Sequence, residues 1–221
     1  NWSGGTGAIT GISCNGSNNG TSISNNTVSN ISNFGGANNL LGITYGTNNG
    51  GATQTISNNT VSSLTCGTGV LVGLNLSGST SITTLNVNNN SISGLTGSGA
   101  VGFDVRALSV TNATTTNIFR NRIYDISDIS AGTVIGILSL NATAGTTTNI
   151  YNNLMGRLYA SSSGFYQSVI GTMINNTTVS NTYNFYYNSF YLDGTTTGSA
   201  LIYTASALST INFQNNIFEN N

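Results

Sequence analysis

The stretch Val87-Asn88-Asn89-Asn90-Ser91-Ile92 contains a pattern that occurs seven times in this chain of 221 residues. An apolar residue is followed three positions later by an Asn that never changes, and another apolar residue follows two positions after that Asn. The fixed Asn recurs about every 31 residues, at Asn26, Asn59, Asn90, Asn121, Asn153, Asn188 and Asn216. A repeat of this length cannot bury its own apolar face and must stack on its neighbours.

The apolar residues inside each repeat alternate with period two, which is typical of strands and not of helices. Val70 to Leu76 and Ala100 to Val105 are examples, rich in the residues that strands favour. The sequence therefore predicts an all-β, right-handed parallel solenoid of about seven coils with three short strands per coil. Residues 1–221 form one such domain, and we expect it to be a module of a longer or polymerising protein.

Two residue types recur where the backbone should bend. The fixed Asn lies between the second and third strands, where Asn tolerates the left-handed backbone region and its amide can bond to equivalent amides in neighbouring coils. A Gly column should mark a close approach or bend in the first strand. Its members are Gly11, Gly42, Gly73, Gly102, Gly136 and Gly171.

The Asn-Asn phrase and the stacked strands resemble the right-handed parallel β-helices of the pectate-lyase-like superfamily, with the resemblance covering residues 9–218. The bias toward Asn, Thr, Ser and Gly is similar to that of long repetitive bacterial surface proteins. The first resemblance implies polysaccharide lyases and hydrolases among related proteins, which use clustered acidic, basic or His residues on one face.

The charged residues argue against catalysis in this chain. There is no His and no Lys, and only 4% of residues are charged, which removes the common general bases and metal ligands. The acids are Asp104, Asp125, Asp128, Asp193 and Glu219. We therefore predict no enzyme activity, no catalytic residue, no metal and no cofactor.

One pair of acids leaves an alternative open. Asp125 and Asp128 could form an acid–base couple for glycoside hydrolysis, with Arg120 and Arg122 holding the substrate. The preferred interpretation is a small surface cluster of ion pairs, because Asp125 and Arg157 lie four residues after the fixed Asn in adjacent coils and should stack. Such exposed pairs contribute at most about 1 kcal/mol.

The two cysteines are too far apart in the repeat for a disulfide to form readily. Cys14 falls in an apolar column with Tyr45 and Leu76, which predicts a small buried hydrophobic residue. Cys66 falls in a predicted turn, so we expect that it could be exposed.

A polar stripe is the candidate binding face. We call the apolar residue three positions before each fixed Asn the anchor. If the anchor points into the solenoid, strand alternation turns the residues one and three positions before it outward. The stripe consists of Thr53, Thr55, Thr84, Asn86, Thr115, Asn117, Thr147, Asn149, Thr182, Asn184, Thr210 and Asn212. It is similar to the Thr-rich faces of β-solenoid antifreeze proteins and could bind ice, a glycan or another copy. The alternative is that these Thr residues only favour strands and pair their hydroxyls between coils.

The later coils add aromatic residues beside the stripe, at Phe119, Tyr151, Tyr186, Tyr187 and Tyr191. Aromatic patches of this kind stack on sugars or contact proteins, while the alternative is burial under turns.

The favoured function is a structural module of an extracellular fibre or cell-surface adhesin. The sequence contains no recognisable cap for open strand edges, so copies should associate head to tail. A net charge of −1 predicts no nucleic-acid partner, and no apolar run is long enough for membrane insertion. Composition favours an extracellular or cell-surface location on a bacterium. A surface-binding module for glycan or ice is the second hypothesis, and a polysaccharide-active enzyme the third.

Overall fold

The computed structural model describes residues 7–15, 20–36, 38–46, 53–77, 82–98, 103–111, 113–140, 143–161, 168–176, 180–192, 198–205 and 209–220. These residues contain 21 strands, numbered β1 to β21 in chain order, and no helix. Three consecutive strands make one coil, and each strand pairs in parallel with the strand three places later. The predicted all-β parallel solenoid with three strands per coil is therefore confirmed.

Three seven-stranded sheets run along the solenoid. The first contains β1 (Ile9–Asn15), β4 (Leu40–Gly46), β7 (Leu71–Ser77), β10 (Asp104–Thr111), β13 (Thr133–Leu140), β16 (Val169–Ile174) and β19 (Ser199–Thr204). The second contains β2 (Ser22–Ser24), β5 (Thr53–Ser57), β8 (Thr84–Asn88), β11 (Thr115–Phe119), β14 (Thr147–Tyr151), β17 (Thr182–Tyr186) and β20 (Thr210–Gln214). The third contains β3 (Thr27–Asn33), β6 (Thr60–Cys66), β9 (Ser91–Gly97), β12 (Arg122–Asp128), β15 (Leu154–Ala160), β18 (Ser189–Leu192) and β21 (Ile217–Asn220).

The apolar residues that flank each fixed Asn point into the solenoid. Val87 and Ile92, on either side of Asn90, are both fully buried. The register places equivalent residues directly on one another, as with Ile118 on Ile150. One continuous core cluster results, with members from Ile23 to Leu192. Because each coil covers the apolar surface of the next, the core exists only through stacking.

The turn between the second and third strands contains one left-handed residue per coil. These residues are Asn25, Asn58, Asn89, Arg120, Asn152, Tyr187 and Asn215, with φ between 53° and 61°. Each stands immediately before the fixed Asn, so the prediction that the fixed Asn itself takes the left-handed conformation was wrong by one residue. The preceding residue turns the backbone, and the fixed Asn is thereby free to point its side chain inward.

A second left-handed column lies inside the third sheet. It contains Asn30, Ser63, Gly94, Asp125 and Arg157, with φ between 55° and 61°. These residues are skipped in the strand register, where Ser62 pairs with Ser93 and the next pair is Leu64 with Leu95. They act as stacked bulges that bend the strand without ending it. For this reason β6 covers seven residues and continues past the bulge to Cys66.

The Gly column of the first sheet is a place of close approach. A Cβ added to Gly73 would lie 2.6 Å from the carbonyl oxygen of Ala107 and 2.8 Å from Cγ2 of Ile92 in the third sheet. Gly11, Gly42, Gly136 and Gly171 occupy equivalent places, each facing the backbone of the next coil. Gly102 lies outside the described residues, and the strand register places Ala107 opposite Gly73.

Gly73→Val should therefore destabilise the solenoid by about 2 kcal/mol or more, because the new side chain overlaps a backbone oxygen that cannot move away. Urea denaturation followed by circular dichroism would measure the loss. Gly7→Val is the control, since a Cβ there meets nothing within 4 Å. Equal stability of the two variants would contradict the close-approach explanation.

Candidate functional surfaces

The seven fixed asparagines form a continuous ladder inside the turn between the second and third sheets. Asn90 shows the pattern: its Nδ2 donates to Oδ1 of Asn121 at 3.0 Å and to the carbonyl oxygen of Ile56 at 2.9 Å. Its Oδ1 accepts from both the backbone N–H and Nδ2 of Asn59, each at 3.0 Å. Asn90 is 1% exposed, so a full set of partners is what allows its amide to be buried.

The candidate binding face lies on the outer side of the second sheet. In β5, Thr53 and Thr55 are accessible while Gln54 and Ile56 between and after them are buried, which is the predicted alternation. Strand register aligns the six Thr residues from Thr53 to Thr210 in one rank. The second rank contains Thr55, Asn86, Asn117, Asn149, Asn184 and Asn212, aligned in the same way. Whether this face binds anything stays a prediction.

The Asn residues of the second rank form an outer amide ladder. Nδ2 of Asn117 donates to Oδ1 of Asn86, and Nδ2 of Asn149 donates to Oδ1 of Asn117, both at 2.9 Å. The bonds continue through Asn184 and Asn212 at 2.8 Å. The outer ladder donates toward the preceding coil, whereas the inner ladder donates toward the following coil.

The Thr rank behaves differently from the Asn rank. Among these six described Thr residues, no hydrogen bond joins one hydroxyl to the next. The hydroxyls of these six Thr residues therefore do not pair between coils. The hydroxyls are accessible to water or to a ligand, in register from Thr53 to Thr210.

A third rank, which was not among the predicted site residues, lies on the same face. It lies one residue after each anchor and contains Ser24, Ser57, Asn88, Phe119, Tyr151, Tyr186 and Gln214. Alternation within five-residue strands would have identified it, because positions 53, 55 and 57 of β5 share one side. Part of the predicted aromatic edge is thus a column of this face.

Two aromatic rings of the third rank, those of Phe119 and Tyr151, stack on one another along the solenoid. The rings of Phe119 and Tyr151 are parallel within 2°, with centroids 4.8 Å apart, which is the spacing between neighbouring strands. Rings stacked along the solenoid in this way cover each other's faces, so they offer little area for stacking on a sugar. The remaining predicted aromatics lie elsewhere: Tyr187 is exposed in the turn, and Tyr191 lies on the third sheet beside Glu219.

The acidic residues are dispersed over the solenoid. Asp125 pairs with Arg157 as predicted, with 2.8 Å between Oδ1 and Nε, and Asp104 pairs with Arg106 at 2.7 Å. Asp128 is not part of a surface cluster: it is 1% exposed, and its Oδ1 accepts hydrogen bonds from the backbone N–H groups of Ser130 and Gly132. Glu219 is exposed on the last strand, and Asp193 lies outside the described residues.

The arrangement of Asp125 and Asp128 does not favour an acid–base couple. Asp125 lies on the outer surface of β12, whereas Asp128 is turned toward the interior and holds the following turn. Two carboxylates on opposite sides of a strand cannot flank one glycosidic bond.

Both cysteines are free thiols. Cys14 is partly buried and stacks on Tyr45, which stacks on Leu76, as predicted. Cys66 is the last residue of β6 and fully buried, so the expectation that it could be exposed was wrong. Burial raises its pKa despite sulfur contacts to the carbonyl oxygens of Asn38 and Gly69. The third strand runs further than predicted, and this brings Cys66 inside.

The C-terminal end of the described solenoid exposes its core. Phe213 lies in the inward column above Phe185, yet it is 54% exposed because no described coil follows it. A cavity of about 530 Å³ opens there, lined by Leu201, Ile202, Phe213, Asn216 and Phe218 among others. This end presents apolar side chains together with the last rung of the inner ladder.

Among the described residues there is no group of three His, Cys, Asp or Glu side chains that could hold a metal ion. The same residues include no helix long and apolar enough to cross a membrane. No protein family, curated protein or solved structure matches this chain. The parallel β-helix architecture therefore rests on the strand pairing, and membership of the pectate-lyase-like superfamily stays a prediction.

Asn90→Asp should destabilise the solenoid by about 3 kcal/mol or more, since it places a buried carboxylate against the oxygens of Asn121 and Ile56. Asn117→Asp makes the same change in the outer ladder, where water can solvate the charge, and should cost less than about 1 kcal/mol. Urea denaturation of the two variants compares them directly. A loss at Asn117 as large as that at Asn90 would mean that the inner ladder has no special role.

Proposed function

We propose that this chain is a structural repeat module of an extracellular or cell-surface fibre, in which coils stack end to end. The observation that supports it is the stacking geometry: neighbouring coils share strand register, apolar columns and the inner ladder, so a further coil of the same kind can cover any coil. Exposed apolar surface joined to open strand edges recruits further strands. A following coil of the same geometry, from the same chain or a second copy, covers that surface.

The rules of the ladder specify how a second copy would stack. In each of the first six coils, the fixed Asn donates to Oδ1 of the Asn in the following coil. Asn216 would therefore donate to Asn26 of the next copy. Phe213 and Phe218 would rest on Ile23 and Val28, which hold the equivalent positions in the first coil. The repeating contact does not close on itself and generates a filament.

The composition supports a location outside the cell. The chain contains 4% charged residues and many Asn, Thr and Gly residues, as bacterial surface repeats do. The fold places many of these polar residues on its outer ranks, while the fixed asparagines of the inner ladder are buried. Apart from further copies of the chain, the partners we propose are glycans. A chain with four cationic residues and a net charge of −1 has little electrostatic attraction for nucleic acid.

Association of the purified chain tests this proposal. The wild type should form concentration-dependent species in analytical ultracentrifugation and filaments in electron micrographs. Phe213→Glu should remain monomeric, because a carboxylate in the stacking surface would be buried without a partner. Leu154→Glu is the matched control: Leu154 is also half exposed, at 51%, but lies mid-solenoid on the third sheet.

Two results would refute the stacking model. One is a wild type that stays monomeric at the highest attainable concentration. The other is equal association by the Phe213 and Leu154 variants, since the contact would then not involve the open end. Circular dichroism must show that both variants retain the strand content of the wild type.

A second candidate function is a binding face for ice or a neutral glycan on the second sheet. The supporting observation is the Thr rank, whose accessible hydroxyls recur in register about every 4.8 Å beside the outer amide ladder. Thr115→Tyr and Thr147→Tyr should each abolish binding without unfolding, because the larger side chains interrupt the flat rank. Thermal hysteresis measures ice binding, and titration with a neutral glycan measures the other arm. Unchanged binding in both variants would refute this function.

A further inference from the structure

The arginines of this chain are not spread evenly over the solenoid. The chain has four cationic side chains, all of them Arg: Arg106, Arg120, Arg122 and Arg157. Arg106 lies on the first sheet and pairs with Asp104. The other three lie in two adjacent coils of the third sheet. Arg120 is in the turn before β12, Arg122 is the first residue of β12, and Arg157 is in the middle of β15. We call these three the arginine patch.

The arginine patch is accessible and only partly neutralised. Arg120, Arg122 and Arg157 are all exposed. Asp125 contacts Arg157, with 2.8 Å between its Oδ1 and the guanidinium Nε. The Arg157 side chain is 74% exposed, so its guanidinium is accessible to an anionic group as well.

A groove adjoins the patch on the outer side of the third sheet. Its volume is about 360 Å³, and its lining includes Gly94, Thr96, Asp125, Ser127, Arg157 and Tyr159. Gly94, Asp125 and Arg157 belong to the column of stacked bulges, and Gly94 contributes no side chain there. Thr96, Ser127 and Tyr159 form the neighbouring column, in which the hydroxyls of Thr96 and Ser127 are 3.3 Å apart and Tyr159 is 41% exposed.

The patch continues from the groove toward the turn. The guanidinium carbon of Arg122 lies 5.3 Å from the ring centroid of Tyr124, which is within range of a cation–π contact. Hydrogen bonds with Ser93 and Ser91, together with the charge of Arg122, hold the pKa of Tyr124 below its usual range. The Arg122 guanidinium thus lies over the ring of Tyr124, the residue before Asp125. Arg120 adds a further positive charge in the turn before β12.

Two of the three arginines occupy unfavourable backbone positions. Arg120 has φ 55° and Arg157 has φ 56°, in columns where other coils use Asn, Ser, Gly, Asp or, in one coil, Tyr187. The left-handed region costs non-Gly residues free energy, and long side chains gain nothing from it. Arg at these two positions is therefore not required by the turn or the bulge, which other residue types form as well.

We propose that the arginine patch and its groove bind an acidic polysaccharide, through carboxylate or sulfate groups on a sugar chain. The guanidinium groups match such anions in charge and geometry. The open groove lined by hydroxyls and one exposed ring matches a polyhydroxylated chain lying across three coils. This site is separate from the open end that the proposed function uses, so either can fail without the other.

Dextran sulfate, carboxymethyl dextran and unmodified dextran of equal length are the probes, because they differ only in charge. Biolayer interferometry at low and high salt should show binding to one or both charged polymers, weakened by salt, and none to dextran. Arg122→Gln and Arg157→Gln should each weaken binding about three- to fivefold. Arg106→Gln is the matched control on the first sheet and should bind like the wild type.

Several results would overturn the proposal. Equal binding of unmodified dextran would show that charge is not recognised. An Arg106→Gln loss as large as that of Arg157→Gln would show that binding depends on total charge and not on the patch. Tighter binding of a single-stranded oligonucleotide than of either charged dextran would assign the surface to nucleic acid. Circular dichroism of each variant confirms that the strands are retained.

Discussion

The buried carboxamide of the fixed Asn is the interaction on which the solenoid depends. It uses both of its amide hydrogens and accepts two hydrogen bonds at its oxygen, and it does so to two different neighbouring coils. No other residue type offers two donors and an acceptor on so short a side chain. The ladder therefore satisfies polar groups in the turn and fixes the register at the same time, because a slip by one residue would leave a buried amide without partners.

The inner ladder in the turn and the outer ladder on the second sheet run in opposite directions. Inner amides donate toward the following coil and outer amides toward the preceding one. Because the chains of amide dipoles run in opposite senses, their fields partly cancel along the solenoid. A protein with five acids and four cations has few charges with which to offset a long uncompensated dipole.

The periodic features of the fold could be predicted from sequence because they are local and repeated. The ladder, the three strands per coil and the outward Thr and Asn ranks all follow from offsets relative to one Asn. The errors arose where a single residue changes the path of the backbone. The bulge at Ser63 extends β6 and carries Cys66 inside, and Ala107 replaces the Gly expected in the first sheet because the preceding loop has a different length. Neither event has a signal in apolar periodicity, and the groove beside Asp125 depends on the same bulges.

The division between inner and outer positions explains how this solenoid can acquire different surfaces. Inner positions of the middle coils are packed against two coils and hold apolar residues, and the Gly column leaves little room for a Cβ. Outer ranks vary freely: the third rank changes from Ser24 to Phe119 to Gln214 along the same aligned column. The left-handed turn position likewise holds Asn in five coils but Arg120 and Tyr187 in the other two. Residues that depart from the repeat therefore lie at positions where the fold accepts side chains of different chemistry.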